Sequence, residues 1–93
     1  VFTWDTRKAT RNLEKHGVSF EEAATVFGDP RALEWEDLGH SNHELRFKRL
    51  GLSSRGRIVI LVYSYRRLND GQETFRIITA RRASPKEREA YAG

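Results

Sequence analysis

Apolar and polar residues alternate most regularly over residues 73–82, ETFRIITARR, where a period of two in β-branched and aromatic side chains predicts a strand. Strict alternation places Phe75, Ile77, Thr79 and Arg81 on one side and Thr74, Arg76, Ile78, Ala80 and Arg82 on the other, so each side carries an arginine. Residues 57–65, RIVILVYSY, are apolar on both sides for most of their length and predict the middle of a sheet. Asn69-Asp70-Gly71 lies between these two runs and predicts that they form an antiparallel hairpin. Residues 44–52 predict a further strand, in which Gly51 marks a bulge or a close backbone approach. In 31–36, RALEWE, Leu33 and Trp35 oppose Ala32, Glu34 and Glu36, which predicts a strand with one solvated side. Val1 to Trp4 predicts a short edge strand.

Helical signals occupy the rest of the chain. Asp5 is a good N-cap for a helix over 6–16, with Ala9 and Leu13 on one face and Gly17 as the left-handed stop. Ser19 and Glu22 have capping-box spacing at the start of a second helix, whose buried stripe is Ala23, Ala24 and Phe27 and which Asp29-Pro30 ends. Ser84, Pro85 and Glu87 announce a short final helix containing Ala90 and Tyr91. The order is short strand, two helices, four strands, helix. With the helices gathered on one face of a mostly antiparallel sheet, the fold class is α+β, in a single domain over 1–93.

Charge adds a partner class to this picture. The net charge is +4, but residues 1–45 carry −4 and residues 46–93 carry +8. A basic half of that size suits a polyanion, most simply nucleic acid, or else a basic solvated surface. Cysteine is absent, which excludes disulfides and thiolate metal sites. No run approaches the roughly 20 apolar residues that cross a bilayer, no secretion signal is apparent, and the start at Val1 without methionine suggests that natural residues precede it.

The chemical signal is cationic side chains on ordered strands. Phosphate-binding glycine loops, zinc clusters and serine-triad elbows are absent, and His40 and His43 read as a solvated polar loop rather than a metal site. Arg46 and Lys48 share a strand face, Arg57 begins the next strand, and Arg76, Arg81 and Arg82 lie on the last. An arginine inside an apolar strand needs a partner. That partner is either Glu44 or Glu73 within the fold, or a phosphodiester gripped by guanidinium forks and the helix amides after Ser84. His16 is either a capping or core histidine or a proton carrier, and Tyr63 offers a stacking face or a proton. The same cations also suit a nucleic-acid-binding or protein-interaction module without catalysis.

Several segments together resemble one family. They are Trp4-Asp5, KHGVSFEEAATVF at 15–27, the Glu44–Gly51 pattern E-x-R-x-x-x-LG, Gly56-Arg57, and RIITARRAS followed by Glu87-Arg88. In this order and over nearly the whole chain they look like the BrnT family of ribonuclease toxins from bacterial type II toxin–antitoxin modules. The resemblance implies a RelE-like fold, a cytoplasmic protein and RNA cleavage without a metal or other cofactor, by attack of a 2′-hydroxyl on the adjacent phosphate. It also implies a BrnA-like ribbon-helix-helix antitoxin in a two-plus-two complex, in which promoter DNA is held mainly by the antitoxin. Arginine is too basic to act as general base, its pKa exceeding about 12. Arg76, Arg81 and Arg82 are therefore expected to stabilise charge or grip substrate, with Arg46, Lys48 and Arg57 as auxiliary cations. His16, Lys15, Glu44 and Tyr63 are the expected proton carriers or RNA contacts. The long turn at 66–72 and the Phe47-Lys48-Arg49 run depart from the family's pattern.

Overall fold

Alternating apolar strands need cover on both sides, and the chain supplies it unequally. The computed structural model describes residues 1–93. In chain order the elements are β1 (Phe2–Thr3), α1 (Thr6–His16), α2 (Phe20–Ala24) with a 3-10 turn over Thr25–Gly28, and β2 (Leu33–Glu36) with a 3-10 turn over Leu38–His40. There follow β3 (Leu45–Leu52), β4 (Ile58–Arg67), β5 (Glu73–Arg82) and α3 (Pro85–Ala92). The five strands form one sheet in the order β1-β5-β4-β3-β2, with β4 in the middle and only the β1–β5 pair parallel.

One sheet face is closed by α1, α2 and the turn after α2. Val59, Leu61 and Tyr63 of β4 and Ile77 and Ala80 of β5 pack there against Val18, Phe20, Ala23 and Val26. The helix starts follow from their caps: Asp5 accepts from the Lys8 amide at 3.0 Å and Ser19 from the Glu22 amide at 2.9 Å. Gly17 ends α1 in the left-handed region at φ 70°. Glu22, however, does not complete a capping box. Its carboxylate, 4% exposed, turns inward to accept from Ser53 Oγ at 2.7 Å and from Nε of Arg57 at 3.0 Å and its Nη2, a stronger partner than a backbone amide.

Two expectations about packing are corrected. Leu13 is exposed, and the inward position of α1 belongs instead to Asn12, 8% exposed. Its side-chain nitrogen donates to the carbonyls of Val18 at 2.9 Å and Ala80 at 2.8 Å, and its oxygen accepts from the Ala80 amide at 3.1 Å. Because β1 pairs only with Phe75 and Arg76, Asn12 stands in for a missing strand along the rest of β5. Nor do the helices gather on one face. Leu50, Ile60 and Ala83, with Ile58 and Tyr91, form a second small core on the opposite side, so α3 covers one end of the face that α1 and α2 leave free. Tyr91 is tied down by donating to Asp29 Oδ2 at 2.6 Å.

Gly51 is a close approach rather than a bulge. A β-carbon there would lie 2.9 Å from Ala32 Cβ, Asp29 Oδ2 and Val26 Cγ1. The bulge falls in β5 instead: Tyr63 pairs with Ile77, yet Val62 pairs with Thr79, leaving Ile78 as the extra residue. It reverses the alternation of everything after it. Thr79 and Arg81 therefore join Thr74 and Arg76 on the partly uncovered face, while Ala80 and Arg82 fall on the other.

Candidate active site on the uncovered sheet face

The bulge decides which cations meet. On the uncovered face, Arg46 of β3, Ser64 of β4 and Arg76 of β5 form one cross-strand row, with Thr3 of β1 beyond Arg76. Neighbouring strands are about 4.8 Å apart, so Arg46 and Arg76 rise on either side of Ser64. The next row on the same face is Trp35, Lys48, Val62 and Thr79, and the one after it Leu33, Leu50, Ile60 and Arg81. α3 closes the far end, where Tyr91 packs on the Leu50–Ile60 row. The result is a basic trough with a hydroxyl-rich end, where Thr3, Ser64, Thr74, Glu44, Arg66 and Arg76 line a recess of about 220 Å³.

These cations differ in how much of their charge is already used. Arg81 is held by a bidentate pair with Glu87, at 2.8 and 2.9 Å, and Glu87 also accepts from the Ser84 amide at 2.8 Å, completing the capping box of α3. That pairing pulls the Glu87 carboxyl down to about 2. Arg46 has only a loose contact with Glu44, at 3.7 Å. Arg76 and Lys48 form no ion pair within the chain. Arg76 is thus an exposed, uncompensated guanidinium with three hydroxyl side chains and one carboxylate beside it. That is an arrangement suited to a phosphodiester.

Other residues singled out by sequence are placed elsewhere. Arg57 is committed to Glu22 and to the Gly17 carbonyl at 2.9 Å, which makes it part of the helix–sheet joint and not a free cation. Tyr63 lies in the covered core among Phe27, Phe47 and Phe75, leaving no ring face for a base. Its hydroxyl donates to Glu34 at 2.6 Å, and burial together with that carboxylate raises its pKa. Arg82, displaced by the bulge, is exposed on the side away from Arg76 and Arg81. Lys15 and His16 line a separate cleft of about 360 Å³ with Lys8, Arg11, Asn12 and Ile78, which meets the trough only at Thr79. No three His, Asp or Glu side chains converge as a metal-ligating group. Trp35 escaped sequence reasoning as a site residue, because its alternation with Glu34 and Glu36 reads equally as an ordinary half-buried strand.

Residues 4–87 match the family described as the ribonuclease toxin BrnT of type II toxin–antitoxin systems. The chain belongs to the BrnT family. Its architecture agrees: the 1.1 Å crystal structure of the Brucella abortus ribonuclease toxin BrnT superposes with a TM-score of 0.64, covering 89% of this chain and 95% of that one at 21% identity. At that identity the likeness speaks for the fold. No curated protein matches the chain in sequence. As a BrnT-family ribonuclease toxin the protein has RNA as its substrate and an antitoxin as its partner, and no helix is long and apolar enough to cross a membrane.

Proposed function

We propose that this BrnT-family toxin is a metal-independent endoribonuclease whose reacting phosphate sits over Arg76. The observation that supports this most is the free Arg76 guanidinium in the row Arg46, Ser64, Arg76, on the face to which the β5 bulge also brings Arg81. In the reaction, the 2′-oxygen bonds to the adjacent phosphorus as its proton leaves to a base. The bond to the 5′-oxygen then breaks and that oxygen takes a proton, giving a 2′,3′-cyclic phosphate and a free 5′-hydroxyl. Negative charge accumulates on the phosphoryl oxygens at the pentacoordinate stage, where fixed cations act most strongly. Arg76 supplies this stabilisation, and Arg46 and Lys48 hold the flanking backbone.

Glu44 is the one carboxylate lining the recess with Arg76, and we assign it the proton from the 2′-hydroxyl or the orientation of Arg46. Arg81 extends the grip toward α3. Lys15 and His16, whose cleft meets the trough at Thr79, guide substrate into it, and Arg82 adds positive charge on the opposite side of the sheet. A ribbon-helix-helix antitoxin of the BrnA type neutralises the toxin in a two-plus-two complex and itself carries the promoter contacts.

The test is incubation of antitoxin-free protein with end-labelled single-stranded RNA in EDTA. Fragments with 2′,3′-cyclic phosphate ends are expected, with Arg76→Ala lowering the rate at least a hundredfold, of the order seen when one transition-state donor is removed, and leaving the circular dichroism spectrum unchanged. Cleavage that appears only on adding magnesium would refute metal independence. Salt-sensitive binding without products would point to a binding module.

A further inference from the structure

Among the aromatic side chains, Trp35 stands apart. The others pack ring against ring or, in the case of Tyr91, hydrogen-bond through the hydroxyl. Trp35 has neither an aromatic neighbour nor a hydrogen bond for its indole nitrogen, and it is 42% exposed on the short edge strand β2. It does not face away from the chemistry. Its cross-strand partner is Lys48, and with Lys48, Val62, Thr79 and Arg81 it lines a recess of about 220 Å³ on the uncovered face. Ile60 and Val62 give this recess its apolar lining, Lys48 stands beside them without an ion pair, and Arg81 reaches it together with the Glu87 carboxylate that holds it.

We propose that this recess is a nucleobase-binding subsite in which Trp35 stacks one unpaired base of the RNA, while Lys48, which forms no ion pair within the chain, contacts the adjoining phosphate. The inference rests on the ribonuclease reading and deepens it. Single-stranded RNA is held by aromatic faces on exposed sheets combined with cations that follow the backbone. The recess lies one pleat along the strands from the Arg46–Arg76 row, roughly 6–7 Å, a span comparable to one nucleotide step in an extended strand. A base stacked there belongs to a nucleotide next to the scissile phosphate. Each base presents a flat face, so the subsite grips without selecting sequence strongly.

The probe is a short single-stranded 2′-O-methyl oligonucleotide, which lacks the attacking hydroxyl and cannot be cleaved by this route. Trp35→Ala is expected to weaken its binding about five- to a hundredfold, whereas Trp35→Phe, which keeps an aromatic face, retains most of the affinity. Binding should also quench indole fluorescence in the wild type and not in Trp35→Phe, whose remaining indole, Trp4, packs against Phe20 on the covered side. Equal affinity of wild type and Trp35→Ala, or quenching that persists in Trp35→Phe, overturns the subsite while leaving the ribonuclease reading intact, provided the wild type still cleaves RNA. A Trp35→Ala protein that binds RNA normally but loses its antitoxin assigns the residue to a protein interface and also overturns it. A wild type that neither binds nor cleaves RNA overturns both.

Discussion

Replacing Asn12 with leucine should be the most damaging single change on α1, although no cap, glycine or core hydrophobe is touched. The amide makes three hydrogen bonds with distances of 2.8–3.1 Å, all to backbone groups. Leucine is close in size and leaves the Ala80 amide, the Ala80 carbonyl and the Val18 carbonyl without that partner. A buried group stranded in this way costs about 1–3 kcal/mol. The low end applies, because the cleft between α1 and β5 borders Asn12 and lets water reach it. The sum is about 3 kcal/mol, against a total stability of about 5–14 kcal/mol for a domain of this length. The melting temperature should therefore fall by roughly 12–24 °C. Urea unfolding, with the slope checked for constancy, gives the free energy, and amide exchange at Ala80 gives the location. A loss below about 1 kcal/mol with Ala80 still protected would refute the claim that Asn12 substitutes for a strand.

Two further perturbations test the frame around the site. Gly51→Ala places a methyl group 2.9 Å from Ala32, Asp29 and Val26, and should cost about 1–3 kcal/mol by overpacking; an unchanged urea midpoint would show that the 3-10 turn yields freely. Glu87 has its folded pKa lowered from the ordinary 4.5 to about 2 by Arg81 and the Ser84 amide. Its contribution is thus complete above the unfolded pKa and disappears as pH falls from about 4.5 toward 2. The shift sets an upper bound of about 3 kcal/mol, which solvent around the half-exposed Arg81 reduces toward about 1 kcal/mol. Glu87→Gln should flatten the acid limb of the stability profile by that amount, and a limb identical to wild type would remove the pair from the acid response.

The local periodicities carried most of the secondary structure. β4 and β5 follow from their apolar alternation, α1 and α3 from Asp5, Gly17, Ser84 and Pro85, because caps and strand patterns act within a few residues and need no distant partner. Arg76 was equally legible as a charge on a strand that otherwise reads as packed. What the sequence could not supply is which charges remain free. Glu22 has capping-box spacing but finds Arg57 and Ser53 far along the chain, and Tyr63 reads as a possible active-site tyrosine until its hydroxyl meets Glu34 inside the fold.

By itself, the sequence determined an α+β domain with a basic C-terminal half and the resemblance to the BrnT family. Only the tertiary structure decided the face on which those charges act. The extra residue at Ile78 turns the rest of β5 over, uniting Arg76 with Arg81 and sending Arg82 away. α3 takes the side opposite α1 and α2, leaving a trough beside it that exposes Trp35. A bulge has no signature in a pattern of period two, and the side on which a helix docks is set by apolar residues distant in the chain, Leu50 and Ile60.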